Sequence, residues 1–167
     1  MSKVHIVFGP QGAGKSTYSR KVSKEVDGVH LSIDDWMWRL YGEDLPKPMN
    51  LAWIMERVER CEQQIWSTSK KISECGCEVI LDLGFTKLAK RELFKTLAND
   101  ADIAVQLHYV DAPHSMRRGR VLERNIEKGE TFSFEVTAGM FDFMEREFEK
   151  PTEEELIRAI VIDTSSK

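Results

Sequence analysis

The chain has 167 residues, 41% hydrophobic and 31% charged, enough for one domain with a sizeable core. A formal net charge of −4 argues against wrapping a long nucleic acid, which needs an extended basic surface, though a short basic site stays open. No apolar run approaches the ~18 residues of a membrane span.

Val4 to Phe8 is short, apolar and β-rich, so it reads as a buried strand. Gly9-Pro10-Gln11-Gly12-Ala13-Gly14-Lys15-Ser16 follows at once and fits G-x-x-x-x-G-K-[ST], the phosphate-binding P-loop. Thr17 to Val26 carries helix formers with no Pro or Gly and reads as a helix. The loop glycines let the backbone come close to a ligand, and successive N–H groups then cradle phosphate oxygens. The helix adds its positive N-terminal end. Lys15 brings a compact charge to the β- and γ-phosphates, and Ser16 offers a hydroxyl to Mg²⁺. Residues Gly9 to Thr17 are therefore the expected nucleotide-binding set.

Asp27-Gly28 is a turn before a second strand, Val29 to Ile33. Asp34 and Asp35 stand at its end, where open α/β sheets carry ligand contacts. A short helix is expected over Asp35 to Leu40. Asp34 is the candidate base that takes a hydroxyl proton, favoured over Asp35; either can instead cap the helix. Asp35 and Arg39 have the spacing of a surface ion pair. Trp36 and Trp38 cannot share a helix face, so one is expected in the acceptor pocket and the other in the core.

The loop from Tyr41 to Pro48 leads to a long helix, Asn50 to about Cys75. Leu51, Val58, Ile65 and Ile72 recur every seven residues, with Ile54, Cys61 and Cys75 beside them. The stripe is expected to pack on the sheet rather than form a coiled coil. Gly76 ends the helix. Cys75 and Cys77 are expected to be buried or half-buried thiols. Three cysteines make neither a zinc site nor a disulfide framework. With no signal peptide ahead of the first strand, a reducing cytoplasm is the expected compartment.

Glu78 to Asp82 reads as a buried strand ending in an acid. Asp82 there is a candidate metal ligand beside Ser16, or else a helix cap. Lys87 to Asn99 is a helix expected to turn Leu93, Phe94 and Leu97 inward, and Ile103 to Val110 is the next strand. Pro113 opens a helix to about Lys128. Arg117, Arg120 and Arg124 fall on one face of it, beside Arg118. Guanidinium groups stabilise the charge of phosphoryl transfer, so Arg120 and Arg124 are candidate catalytic residues with Lys15 and Asp34. The alternative is a solvated face paired to Glu123 and Glu127. After a break at Lys128 to Glu130, a helix from about Phe134 to Glu149 buries Phe141, Met144 and Phe148, and Pro151 stops it. Thr152-x-x-Glu155 is a capping box, and Ala159 to Asp163 closes the domain as a last strand. His30, His108 and His114 show no nucleophile or metal spacing and are read as structural. Five strands alternating with helices predict an α/β fold, a parallel sheet with helices on both faces.

The phosphate loop, the Asp34-Asp35 pair, the strand Val79 to Asp82 and the Arg120/Arg124 helix together resemble the P-loop kinases that include polynucleotide 5′-kinases, zeta toxins and gluconate kinases. Val110-Asp111-Ala112-Pro113 before the arginines, and Phe148 to Pro151 followed by acids, resemble the bacterial kinase branch grouped with the AAA-family ATPases. With no internal repeat, low-complexity segment or Pro/Gly/Ser-rich linker, residues 1–167 read as a single domain; the resemblance implies a three-layer P-loop NTPase with sheet order 2-3-1-4-5 and a helical lid at about 114–131. It also implies Asp34 as base, ATP·Mg²⁺ as donor, and residues after Glu149 near the adenine. The expected reaction is transfer of the γ-phosphoryl of ATP to a hydroxyl of a small molecule or nucleotide. The alternatives are a 5′-hydroxyl polynucleotide kinase and a P-loop ATPase or nucleotide-dependent switch. Phage-type polynucleotide kinases carry an arginine three residues after the catalytic aspartate. Here that position is Met37, with Arg39 beyond it.

Overall fold

The computed structural model describes residues 2–127 and 135–166. Five strands form one sheet: β1 (Lys3–Phe8), β2 (Val29–Ser32), β3 (Val79–Asp82), β4 (Ala104–Asp111) and β5 (Ile160–Asp163). The spatial order is β2-β3-β1-β4-β5, and every neighbouring pair is parallel. All carboxyl ends therefore meet at one edge, outside which open α/β sheets bind ligands.

β1 is central and covered on both faces, which explains its continuous apolar run. Val4, Ile6 and Phe8 point into a core with Leu31, Ile65, Trp66, Leu81, Phe85 and Phe94. Val7 points to the other face, with Ile80, Val110 and Val22. His5 shares the face of Val7 by strand alternation. It lies in a buried chain: Nε2 is 2.5 Å from Glu78 Oε2, and Nδ1 is 2.8 Å from His108 Nε2. His108 Nδ1 is in turn 2.8 Å from the Tyr18 hydroxyl.

The helices are α1 (Lys15–Glu25), α2 (Ile33–Tyr41), α3 (Leu51–Glu74), α4 (Leu88–Asp100), α5 (His114–Glu127), α6 (Ala138–Glu147) and α7 (Glu153–Arg158). A 3-10 turn, Gly42–Asp44, follows α2. The middle of α3 packs on the sheet core through Cys61 and Ile65, with Val58 and Ile72 beside them, as its stripe predicts; Trp66 joins them from outside the stripe, and Leu51 at the start is exposed. Asn50 caps α3 by accepting from the Trp53 N–H at 3.1 Å. Gly76 ends it at φ +82°, and the Cys77 N–H donates back to Ile72 O at 3.3 Å. The expected capping box is present on α7.

Several boundaries and burials differ from expectation. α2 begins at Ile33, so the second strand stops at Ser32 and both aspartates lie in the first turn of the helix. Ser32 takes the cap instead, accepting from the Asp35 N–H at 3.3 Å. Cys75 and Cys77 are exposed, since they flank the glycine turn that ends α3 and not its inward stripe; Cys61 is the buried thiol. On α4, Leu93 is 49% exposed, and the inward residues are Arg91, Phe94 and Ala98, with Leu97 partly buried. Apolar counting cannot anticipate an arginine at a core position. α6 begins at Ala138, with Thr137 as its cap, and ends at Glu147; Phe141 is fully buried, and Phe148 packs on the sheet core. The expected break at Lys128 to Glu130, Phe134 and the end of the lid lie outside the described residues. Trp36 is the tryptophan that packs against the core, while Trp38 is exposed.

Candidate active site

The chain leaves β1 into the loop, turns at Gly9 and enters α1 at Lys15. A Cβ at Gly9 would stand 1.9 Å from Val110 O, so the loop can run this close to β4 only with glycine. Gly12 and Gly14 take positive φ, +78° and +96°. The Ala13 N–H closes a turn onto Pro10 O at 3.2 Å. Among the described residues, no protein acceptor takes the N–H of Gly12, Gly14, Lys15 or Ser16. Those of Lys15 and Ser16 open α1 and have no intrahelical acceptor. The result is a positive concavity at a helix start.

Around this concavity stand the side chains singled out in the sequence. Lys15 Nζ donates to Pro10 O at 2.9 Å. Burial lowers its pKa to about 8, while the charges of Asp82 and Asp34 pull it up. The Ser16 hydroxyl donates to Asp82 Oδ2 at 2.8 Å. Asp82 is buried at the end of β3, and its Oδ2 also meets His30 Nε2 at 3.0 Å. His30, read as structural from the sequence, is therefore a neighbour of the site. The signal available was its place two residues before Ser32, whose strand partner is Asp82.

Asp34 remains open to solvent, yet protein walls surround it at longer range. That desolvation, then the Asp82 charge, raises its carboxyl pKa; Lys15 and Arg124 oppose the rise. Its accessibility limits the size of the effect. Asp35 turns away and holds Arg39 at 2.9 Å, an exposed i,i+4 pair.

The three arginines on one face of α5 have three different environments. Arg117 is buried. It grips Glu145 of α6 with two bonds of 2.6 Å and also donates to Ala112 O and Gln11 O. Arg120 reaches the loop itself, donating to Gly12 O at 3.3 Å, Ala13 O at 3.4 Å and both oxygens of Thr164. Arg124 is half-buried and, among the described residues, makes no hydrogen bond or ion pair. Burial lowers its pKa and the Asp34 charge pulls it back up. A half-buried guanidinium with no hydrogen-bond partner among the described residues is costly unless a ligand meets it.

The sequence reading gave no role to Thr164 or Glu145, and nothing local in the sequence marks them. Among the described residues, no group of three or more His, Cys, Asp and Glu is placed to hold a metal. No helix described is long and apolar enough to cross a membrane.

The profile of the AAA_33 family, an AAA domain, matches residues 4–151. No match was found among curated proteins. Among solved structures, a Chloroflexus aurantiacus protein provisionally described as a kinase superposes with a TM-score of 0.74 at 16% identity, covering 99% of this chain and 85% of that one. Kti12 of Chaetomium thermophilum, solved with ADP-AlF3, gives 0.69 at 16% identity, with 97% and 88% covered. The Mycobacterium tuberculosis APS kinase CysC, solved with AMPPNP and APS, gives 0.66 at 18% identity, with 98% and 88% covered. The 2-3-1-4-5 order expected from the resemblance is the order observed. With a family match across most of its length and this sheet, the chain belongs to the AAA_33 family and has the P-loop kinase fold.

Proposed function

We propose that the protein is an ATP-dependent kinase that moves the γ-phosphoryl group to a hydroxyl of a small molecule or nucleotide. The observation that carries this reading is the gathering of Lys15, Asp34, Asp82 and Arg124 around one phosphate cradle, where the Asp82 charge acts on both Lys15 and Asp34, and Asp34 and Arg124 act on each other. A nucleotide switch needs the cradle, but has no need of a solvent-facing carboxylate of raised pKa at its mouth.

The loop amides of Gly12, Gly14, Lys15 and Ser16, with the Lys15 ammonium, hold the β- and γ-phosphates of ATP. Asp34 accepts a hydrogen bond from the acceptor hydroxyl and takes its proton as the oxygen attacks the γ-phosphorus. The bond from that phosphorus to the β,γ-bridging oxygen breaks, and ADP leaves. Arg124, and Arg120 if it exchanges its present partners for phosphate, lie across the developing charge. Ser16 and Asp82 present a hydroxyl and a carboxylate oxygen side by side. Such a hard-oxygen pair fits Mg²⁺, which takes one or two protein ligands and fills its shell with phosphate and water. When bound there, Mg²⁺ neutralises phosphate charge. His30, on the same Asp82 oxygen as Ser16, helps to orient that carboxylate.

The chain is read as one domain over residues 1–167, with a lid at about 114–131. Arg117 and Arg120 hold the first turns of α5 to the loop, and Asn125 holds its last turns to the Val136 backbone with bonds of 2.6 and 2.9 Å, so closure over phosphate would carry Arg124 with the α5–α6 unit. Free cysteines fit a reducing cytoplasm. Met37 packs on the core, with Cys61 Sγ 3.9 Å from its sulfur, so its position offers no grip on an acceptor phosphate. That favours a small acceptor over a polynucleotide.

The test is ATP consumption across sugars, nucleosides, antibiotics and 5′-hydroxyl oligonucleotides, with and without Asp34→Asn. The substitution is expected to leave ATP affinity intact and to lower acceptor-dependent turnover by roughly 10²–10⁴-fold. Hydrolysis that is appreciable without acceptor and indifferent to Asp34→Asn would move the protein to the ATPase class.

A further inference from the structure

Thr164 follows β5, far in sequence from the phosphate loop, and is 5% exposed. Every polar group it owns is engaged at the back of that loop. Its hydroxyl donates to Ala13 O at 2.6 Å and accepts from an Arg120 guanidinium nitrogen at 2.8 Å. Its carbonyl accepts from the other Arg120 nitrogen at 2.6 Å, and its N–H donates to Asp111 O at 3.0 Å, at the end of β4.

The partner that matters is Ala13 O. In a trans, planar peptide the carbonyl and the next N–H point in opposite directions. Holding the Ala13 carbonyl outward therefore turns the Gly14 N–H inward, toward the space where phosphate oxygens lie. Gly14, at φ +96°, has no side chain to fix that peptide plane. With its backbone free in both halves of φ space, the plane needs an outside restraint. Thr164 supplies the short bond to that carbonyl, 2.6 Å against 3.4 Å from Arg120, and Arg120 in turn holds both oxygens of Thr164.

We propose that Thr164 is a positioning residue for phosphate binding: through Ala13 O it sets the inward orientation of the Gly14 amide, so the segment after β5 tunes the phosphate loop from behind. This rests on the nucleotide-binding reading above. Its sign is specific, because Thr164 acts on the triphosphate end of the ligand rather than on the base.

The experiment uses the full chain and two probes, ADP and inorganic pyrophosphate, titrated by calorimetry in the presence of Mg²⁺. Thr164→Val keeps the shape and removes the donor; Thr164→Ser keeps the donor. Thr164→Val is expected to weaken both probes by the same factor, about tenfold for one lost buried hydrogen bond, and Thr164→Ser to bind both like the parent. Thermal unfolding of both variants is followed in parallel, and if Thr164→Val unfolds, the Thr164→Ser and Thr164→Ala pair is compared on the same probes. Loss of ADP affinity with pyrophosphate unchanged would overturn the proposal, because it places Thr164 at the base. Equal affinities in parent and Thr164→Val would also overturn it. A parent protein that binds neither probe overturns the nucleotide reading itself, which separates the two failures.

Discussion

Arg91 and Arg124 are both arginines facing inward from a helix, on α4 and α5, and they are treated in opposite ways. Arg91 is fully buried with its donors committed: to both Glu155 oxygens at 2.7 and 3.1 Å, to Phe85 O at 2.9 Å and to Lys150 O at 3.5 Å. Its guanidinium lies 4.5 Å from the Phe8 ring centroid. Glu155 is committed too, since the Thr152 N–H donates to it at 2.9 Å in the capping box. Among the described residues, Arg124 has none of this. Buried charge is tolerated where hydrogen bonds complete it, so the closed seat of Arg91 holds α4, α7 and β1 together. The open seat of Arg124 leaves charge available beside Asp34 and Lys15. Satisfaction, more than residue type or burial, separates the arginine that stabilises the fold from the one proposed to meet a ligand.

The comparison breaks most directly by truncating each side chain. Arg91→Ala is expected to cost about 3–5 kcal/mol of stability, because it leaves Glu155 buried and uncompensated. Chemical denaturation measures it; nucleotide affinity of the molecules that remain folded should hold. Arg124→Ala reverses the pattern. Its unfolding midpoint should stay or rise, while turnover falls by about 3–4 kcal/mol of transition-state stabilisation. An Arg124→Ala protein that is destabilised and fully active would show the contrast to be false.

The same contrast explains what the sequence made legible. The phosphate loop is contiguous, its residue types are dictated by backbone approach and charge, and the strand and helix around it follow from local period. Strand order came with the family resemblance. Arg91, Glu155, Thr164 and Glu145 escaped because their roles depend on partners brought together only by the fold: Arg91 meets Glu155 across 64 residues, and Thr164 meets Ala13 across 151. A buried arginine also scores as surface in any apolar count, which is why Leu93 was expected where Arg91 lies. The cap of α2 was misplaced for a more local reason. Ser32 and the two aspartates are all good caps, and only the backbone, extended at Ser32 with φ −109° and ψ 125°, decides among them.

A second closed network offers a smaller effect of the same kind. Burial, with a lesser push from the neighbouring His5, lowers the His108 pKa to about 4. In the unfolded chain histidine titrates near 6.5. The folded state therefore binds fewer protons between these values, and stability present above pH ~6.5 is lost as pH falls toward 4, on the order of 3 kcal/mol in all. Urea unfolding at pH 7, 5.5 and 4.5 gives the slope. His108→Gln should flatten it; an undiminished slope in that variant would place the acid lability elsewhere.

On the open side, titration should appear in binding instead. Lys15 has a pKa of about 8 in the free protein, and phosphate charge beside it favours the protonated form. Nucleotide binding thus takes up a proton above pH 8, and affinity should fall there by up to about tenfold per pH unit while staying flat below. Calorimetry in buffers of different ionisation enthalpy detects the uptake directly. A pH-independent affinity between 8 and 9.5 would mean that Lys15 does not engage the phosphates.

The smallest expected effect belongs to Arg39, and it bears on the acceptor. Its pair with Asp35 is exposed on both sides, so Arg39→Ala should change stability by no more than about 0.5 kcal/mol. Arg39 faces the same solvent that an acceptor must cross to reach Asp34, and it stands one α-helical turn beyond Asp35. If the acceptor is a small molecule without phosphate, Arg39 has nothing to hold and turnover should be unchanged. If the acceptor is a 5′-hydroxyl polynucleotide, Arg39 must leave Asp35 to hold a phosphate, since Met37 lies against the core and cannot. KM for such an acceptor would then rise in Arg39→Ala with kcat little changed, because a phosphate contact away from the reacting centre binds substrate and transition state alike. The split between KM and kcat, measured with an oligonucleotide and with a neutral nucleoside side by side, decides between the two acceptor classes even though the substitution leaves the fold untouched.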